Sequence, residues 1–332
     1  MPGAARGAPD PVKRGEFDLI AKLLAPLAKG DDRALDLLDD AAVIPQKTGV
    51  DTVVSTDTLV AGVHFLMSEP ADIIARRLLR VNLSDIAAMG AEPFAYFLNL
   101  TLPGEIDDDW LGAFTAGLQV DQETFGLRLL GGDTTGTSGS LTLSVTIFGE
   151  VPTGEAVRRN TAGPGDLVFV SGTIGDAGLG LQRLRDGADA DDPLVRRYQI
   201  PDPRVSLGPS LRGIASAMAD VSDGLLADLG HICKASGLGA SISLIAVPVS
   251  EAARSAIGGH AEQALALLTH GDDYELVFSV PPQHADAARE AAEISGVAIT
   301  EIGRLENDAQ AVTVRDGGGR DVTPEQVGYT HF

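Results

Sequence analysis

Cysteine occurs once in this 332-residue chain, at Cys233. That excludes a disulfide framework and a thiolate zinc site, and it fits a reducing, cytoplasmic setting. Cys233 lies in Leu229-Gly230-His231-Ile232-Cys233-Lys234, which reads as helix, so a buried structural thiol is expected rather than a nucleophile. Basic residues are scarce as well: 25 Lys and Arg stand against 47 Asp and Glu, a formal charge of −22. Such a surface repels nucleic acid and anionic membrane and argues against both as partners. No apolar run reaches the ~20 residues that span a bilayer. Met1 to Pro11 is rich in Ala, Gly and Pro and has no apolar core. It is expected to be no signal peptide but part of a disordered tail over residues 1–14.

Several catalytic signatures are also missing. There is no Gly-x-x-x-x-Gly-Lys-Ser/Thr string, which excludes a P-loop kinase, and no Lys, His-Arg-Asp and Asp-Phe-Gly set of a protein kinase. The six histidines are scattered without His-Glu-x-x-His, and no Gly-x-Ser-x-Gly elbow occurs.

An apolar fraction of 44% is that of an ordinary globular protein, and the length points to two domains. Helical and strand patterns alternate. Helices are expected over 17–27, from Pro70 onward, and over 110–125, 176–186, 206–217, 223–235 and 285–295. Strands are expected over 52–55, 94–102, 127–130, 140–151, 166–171, 274–280 and 299–304. Ser140 to Val151 gives the clearest signal, with Leu141, Leu143, Val145 and Ile147 alternating with Thr142, Ser144 and Thr146. The domain boundary falls near 150–160. Both halves mix α and β, so a purely parallel sheet is not expected.

Six clusters of acids and hydroxyls recur, each read as standing where a strand or loop gives way to the next element. They are Asp39-Asp40-Ala41-Ala42, Ser55-Thr56-Asp57-Thr58, Asn82-Leu83-Ser84-Asp85, Gly131-Gly132-Asp133-Thr134, Asp220-Val221-Ser222-Asp223-Gly224 and Gly271-Asp272-Asp273-Tyr274-Glu275. Carboxylate and hydroxyl oxygens are the hard ligands Mg²⁺ prefers, and Mg²⁺ usually holds substrate phosphates. Six such clusters suggest one metal–polyphosphate site assembled from distant stretches of chain. Phosphoryl transfer needs positioning and charge neutralisation more than covalent help. In a lysine-poor site, metal ions would supply the positive charge. Any Ser-Asp pair taken singly is as well read as a helix cap.

The order of these clusters resembles the thiamine-monophosphate kinase family, within the wider superfamily of aminoimidazole ribonucleotide synthetase. The series is Gly15-Glu16-Phe17, Asp39-Asp40, Ser55 to Phe65, Asn82 to Ala91, Gly131 to Thr135, Ser222 to Leu225 and Asp273 to Leu276, and it covers the chain from about residue 15 to its end. The resemblance implies an α+β (mixed α/β) fold in two domains. Residues 15–151 would bind ATP and Mg²⁺ and form a barrel with a second copy through a mixed or antiparallel sheet; residues 152–332 would be an α/β domain. It implies ATP-dependent, Mg²⁺-assisted, direct in-line phosphorylation of thiamine monophosphate to thiamine diphosphate by a homodimer.

By motif match, Asp40, Ser55, Thr56, Asp57, Asp85, Asp133, Asp220 and Asp223 would serve the metal ions, with Asp57, Asp85, Asp133 and Asp223 the catalytic acids. Gly132, Asp133, Arg159 and Ser222 would face the nucleotide; His64, Asp272 and Tyr329 would face the acceptor. Residue chemistry leaves rival uses open. Arg158 competes with Arg159, His64 is also readable as a satisfied loop histidine, and Tyr329 as the anchor of a tail. Two departures from the family pattern stand out: Leu38 precedes Asp39 where glycine is usual, and Asp272 replaces a glutamate. Rival functions are another ATP-using enzyme of the superfamily or a nucleotide-binding regulator without turnover. A selenophosphate-type enzyme would carry a reactive Cys near its N-terminus, and this chain has none.

Overall fold

The computed structural model describes residues 19–38, 41–258, 260–307 and 311–329. The expected tail, Gly15-Glu16-Phe17 and the Asp39-Asp40 pair lie outside the described residues. No described helix is long and apolar enough to cross a membrane.

The first half builds a four-stranded sheet from β1 (Val50–Val60), β2 (Glu92–Pro103), β3 (Leu129–Thr137) and β4 (Thr142–Pro152). Its order is β1-β4-β2-β3; only the β2–β3 pair is parallel. The sheet is therefore mixed. On β4, Leu143, Val145 and Ile147 are wholly buried while Thr142, Ser144 and Thr146 are only half-covered. The period-2 pattern thus sets which face meets the helices.

Two helices cover that face: α1 (Ala71–Ala88) and α2 (Asp108–Phe125). Asp107 caps α2 by accepting the Trp110 N–H at 2.8 Å, and Gly126 closes it in a left-handed turn with φ 69°. Helix α1 is buried on nearly every side, including Arg77 and Arg80. Fully buried Ile74, Leu78 and Leu79 each contribute about 1.5–3 kcal/mol of apolar burial.

The second half is a six-stranded sheet of β5 (Leu167–Ser171), β6 (Ala217–Asp220), β7 (Gly239–Ser243), β8 (Leu276–Val280), β9 (Ile299–Glu306) and β10 (Val312–Arg315). The order is β10-β7-β9-β5-β8-β6, antiparallel except for β10–β7. Around it lie α3 (Asp176–Arg185), α4 (Pro193–Gln199), α5 (Leu225–Ser236), α6 (Glu251–Ala256), α7 (Ala261–Leu267) and α8 (Ala285–Ser295). Every residue of β5 is buried because both faces are covered. Val168 and Val170 join the core around α5, whereas Leu167 and Phe169 join the core around α8. Ala87 and Ala88, at the end of α1, enter that second core and tie the two halves together. Cys233 is wholly buried, and burial pushes its thiol up to about 11.

Three expectations are corrected. The helix over 206–217 shrinks to one turn, Leu207–Ser210, because Gly213 turns left-handed at φ 70° and the chain then extends into β6. The Ser55–Thr58 cluster sits inside β1 rather than at a strand end. Asn82, Ser84 and Asp85 lie within the last turns of α1, so they cap no helix start.

Candidate active site

Strand alternation and helix phase bring acids from four segments to one place. Ser55 and Asp57 point from β1 toward α1, where Asn82 and Asp85 stand three residues apart on neighbouring turns. Ser55 Oγ donates to Asp85 Oδ2 at 2.5 Å, and the Asp57 N–H donates to Asn82 Oδ1 at 3.1 Å. Asp220 arrives at the end of β6 and Asp223 in the following loop. Asp57, Asp85, Asp220, Ser222 and Asp223 line one cleft of about 710 Å³, together with His64, Asp272 and Tyr329.

The electrostatics of this cleft are unbalanced. Burial, and then the charge of Asp85, push Asp57 up to about 7. Asp85 is also raised, by burial, although Ser55 and the guanidinium of Arg159 ease it. Asp220, only 3% exposed, is raised well above the carboxylate range by burial and by the charges of Asp85 and Asp228. Among the described residues no ion pair reaches Asp57, Asp85 or Asp220. Arg159 meets Asp85 from a second cleft of about 460 Å³, which also holds Ser55 and Arg158. Carboxylates and a hydroxyl clustered in this way, with no ion pair to Asp57, Asp85 or Asp220 among the described residues, form the hard-oxygen donor set that Mg²⁺ prefers.

Loop 222–224 is fixed by a residue the sequence reading passed over. Asp228 Oδ2 accepts the backbone N–H groups of Ser222, Asp223 and Gly224 at 3.0, 3.0 and 3.2 Å. Asp223, Asp228 and His231 also bring ligand atoms within 4.8 Å of one another. With Asp228 Oδ2 committed to three N–H donors, the trio braces a loop rather than caging an ion.

His64, Tyr329 and Asp272, the residues expected to face the acceptor, have partners of their own. His64 Nδ1 accepts the Val60 N–H at 3.0 Å, and its carbonyl accepts the Tyr198 hydroxyl. Tyr329, half-exposed, is tied by its N–H to the Asp223 carbonyl at 3.0 Å. Asp272 pairs with Arg77 at 2.8 Å and accepts the Tyr274 hydroxyl at 3.1 Å. Arg77, 1% exposed, lies 3.9 Å over the Tyr198 ring, so it crosses from α1 to two segments of the second half. The Arg76-Arg77 pair inside an apolar helical run was the available signal for it.

Three sequence candidates lie elsewhere. Thr56 faces the opposite side of β1 and donates to the Val145 carbonyl at 3.0 Å. Gly132 and Asp133 border a separate hollow along β3. Gly132 is level with Asp57 in register, but β4 and β2 intervene, a separation of about 14 Å at ordinary strand spacing. A Cβ at Gly132 would stand 1.8 Å from the Leu98 carbonyl oxygen, so close packing on β2 already demands glycine there. Asp40 lies outside the described residues.

A two-sheet mixed fold with an acid-lined cleft between the halves defines a class, and comparison with known families agrees. Residues 38–151 match the AIR synthase related protein N-terminal domain and 163–315 the corresponding C-terminal domain. Over 329 residues the chain is 47% identical to a thiamine-monophosphate kinase of Caulobacter vibrioides, covering 98% of this chain and 93% of that one. A crystal structure of thiamine-monophosphate kinase from Stenotrophomonas maltophilia is similar at TM-score 0.81 and 42% identity, over 90% of this chain and 96% of that one. AaThiL complexed with AMPPCP and TMP is similar at TM-score 0.76 and 29% identity, over 96% and 97%. The chain belongs to the thiamine-monophosphate kinase family.

Proposed function

We propose that the cleft transfers the γ-phosphoryl group of ATP to thiamine monophosphate, giving thiamine diphosphate and ADP. The observation that carries this reading is the cluster of buried Asp220 with half-buried Asp57 and Asp85, all raised in pKa and, among the described residues, in no ion pair. A relative solved with AMPPCP and TMP supports the two substrate classes. Asp57, Asp85, Asp220 and Asp223, helped by Ser55, would hold Mg²⁺. Bound there, Mg²⁺ supplies the positive charge that offsets the phosphate oxygens.

The residues of the chain do the positioning. Arg159, beside Asp85, offers a guanidinium fork to a phosphate. Ser222, held by the Asp228 brace, presents its hydroxyl to the nucleotide. His64 and Tyr329 border the acceptor, and the fixed tautomer of His64 turns Nε2–H outward from its Val60 bond. Asp272 acts on the acceptor while neutralising Arg77. With donor and acceptor held in line, transfer is direct and needs no phosphoenzyme.

The test is to incubate the purified protein with Mg²⁺, ATP and thiamine monophosphate. Thiamine diphosphate and ADP should appear in equal amounts. ATP breakdown without thiamine diphosphate, or turnover of a different acceptor alone, removes this reading.

We further infer that Asp133 serves the cleft of a second copy. β1 and β3 are the two unpaired edges of the first sheet, and their pairing with a partner's edges would close a barrel and shorten the gap across which Asp133 must act. Asp57→Asn and Asp133→Asn chains, each nearly inactive alone, should regain about a quarter of wild-type activity when reassociated 1:1, since half the dimers then carry one intact site. No recovery would place Asp133 in service of its own chain.

A further inference from the structure

The wall of the main cleft that α3 contributes is free of acids; Gly178, Leu181 and Arg185 border it there. Against this wall sits His270, which also lines the cleft and which no part of the proposed transfer uses. Its Nδ1 is enclosed and has no hydrogen-bond partner among the described residues. Burial lowers its pKa, so the ring is neutral near pH 7. A buried N–H without an acceptor is costlier than a bare ring nitrogen, so the proton belongs on Nε2.

The ring also packs closely against α3. A Cβ added to Gly178 would lie 2.5 Å from the Cβ, Cγ and Nδ1 of His270. The imidazole therefore fills the space where α3 lacks a side chain, and the same contact covers its Nδ1 edge. Its other edge is left for the cleft. The cation that a phosphate favours is supplied on this wall by Arg185, and a neutral N–H donor such as His270 is the poorer match for it. His270 suits an uncharged heteroaromatic ring whose nitrogens carry lone pairs.

We propose that His270 is a specificity-determining residue whose Nε2–H donates to a ring nitrogen of the acceptor's aminopyrimidine. This assignment rests on the cleft being the thiamine monophosphate site. It gives that site a means of telling the pyrimidine from a ring of equal shape that lacks the acceptor atom.

The experiment compares kcat/KM for thiamine monophosphate and for its two pyridine analogues, each with one pyrimidine nitrogen replaced by C–H. Wild type should lose about tenfold on one analogue. His270→Ala should lose about tenfold on the parent acceptor and nothing further on that analogue, with KM for ATP unchanged. His270→Gln, which keeps an N–H at similar reach, should restore most of the loss. Gly178→Ala should raise the acceptor KM like His270→Ala, although alanine ordinarily stabilises a helix over glycine. An unchanged acceptor KM in His270→Ala, or equal further loss on both analogues, overturns the assignment. Wild-type protein that makes no thiamine diphosphate overturns both this and the proposed function. Wild-type turnover with an indifferent His270→Ala overturns this alone.

Discussion

Buried carboxylates are treated in two opposite ways within this chain. Glu275 and Asp121 are both inaccessible, and each is gripped by two arginines: Arg197 and Arg204 for Glu275, Arg76 and Arg80 for Asp121. Burial alone would raise Glu275, yet the Arg204 hydrogen bonds and the Arg197 charge hold it below the usual range. Asp220 is buried as well and Asp57 and Asp85 are half-buried, but these acids act on one another, and all three are raised. Arginine grips Glu275 and Asp121 directly, whereas among the described residues no arginine forms an ion pair with Asp57, Asp85 or Asp220, although the Arg159 charge eases Asp85 and Asp220. The difference separates acids that hold the fold together from acids that, on the proposed function, would hold a cation.

The paired set offers the largest effect. Glu275→Gln keeps the shape of the side chain but leaves Arg197 and Arg204 buried without a counter-charge. It should cost about 3–5 kcal/mol in denaturant unfolding. A loss below about 1 kcal/mol would mean that the pairing contributes little, and would erase the contrast with the cleft.

Much of the fold was legible because it rests on local pattern. The alternation on β4, the Asp107 cap and the Gly126 stop of α2 can all be read one residue at a time. So can the acid clusters, since Ser55 and Asp57 share a parity on β1. That same parity places Thr56 on the far face, a consequence of period-2 geometry that the motif match overrode. What stayed hidden depends on contacts distant in sequence. Asp133 is set apart from Asp57 by the strand order β1-β4-β2-β3, which no local signal encodes. Arg77 reads as an exposed helix residue until Asp272 and Tyr198 are brought to it. Asp228 reads as an ordinary helical acid, because its partners are backbone N–H groups.

The cleft set offers a smaller effect of opposite sign. Asp57 has a folded pKa of about 7, above its ordinary value of 3.8. Its ionisation is therefore harder in the fold than in the unfolded chain, and the resulting cost is absent below about pH 4 and grows toward pH 7. Removing that charge should relieve the protein when no cation is present, by about 1–3 kcal/mol after allowance for its coupling to Asp85.

The most direct measurement is thermal unfolding of wild type and Asp57→Asn at pH 8, with and without Mg²⁺ and an ATP analogue. Without them, Asp57→Asn should melt at the higher temperature; with them, wild type should rise and overtake it. A variant that melts below wild type in the absence of ligand, or a wild-type protein indifferent to Mg²⁺ and the analogue, would contradict the claim that these acids are held for a cation.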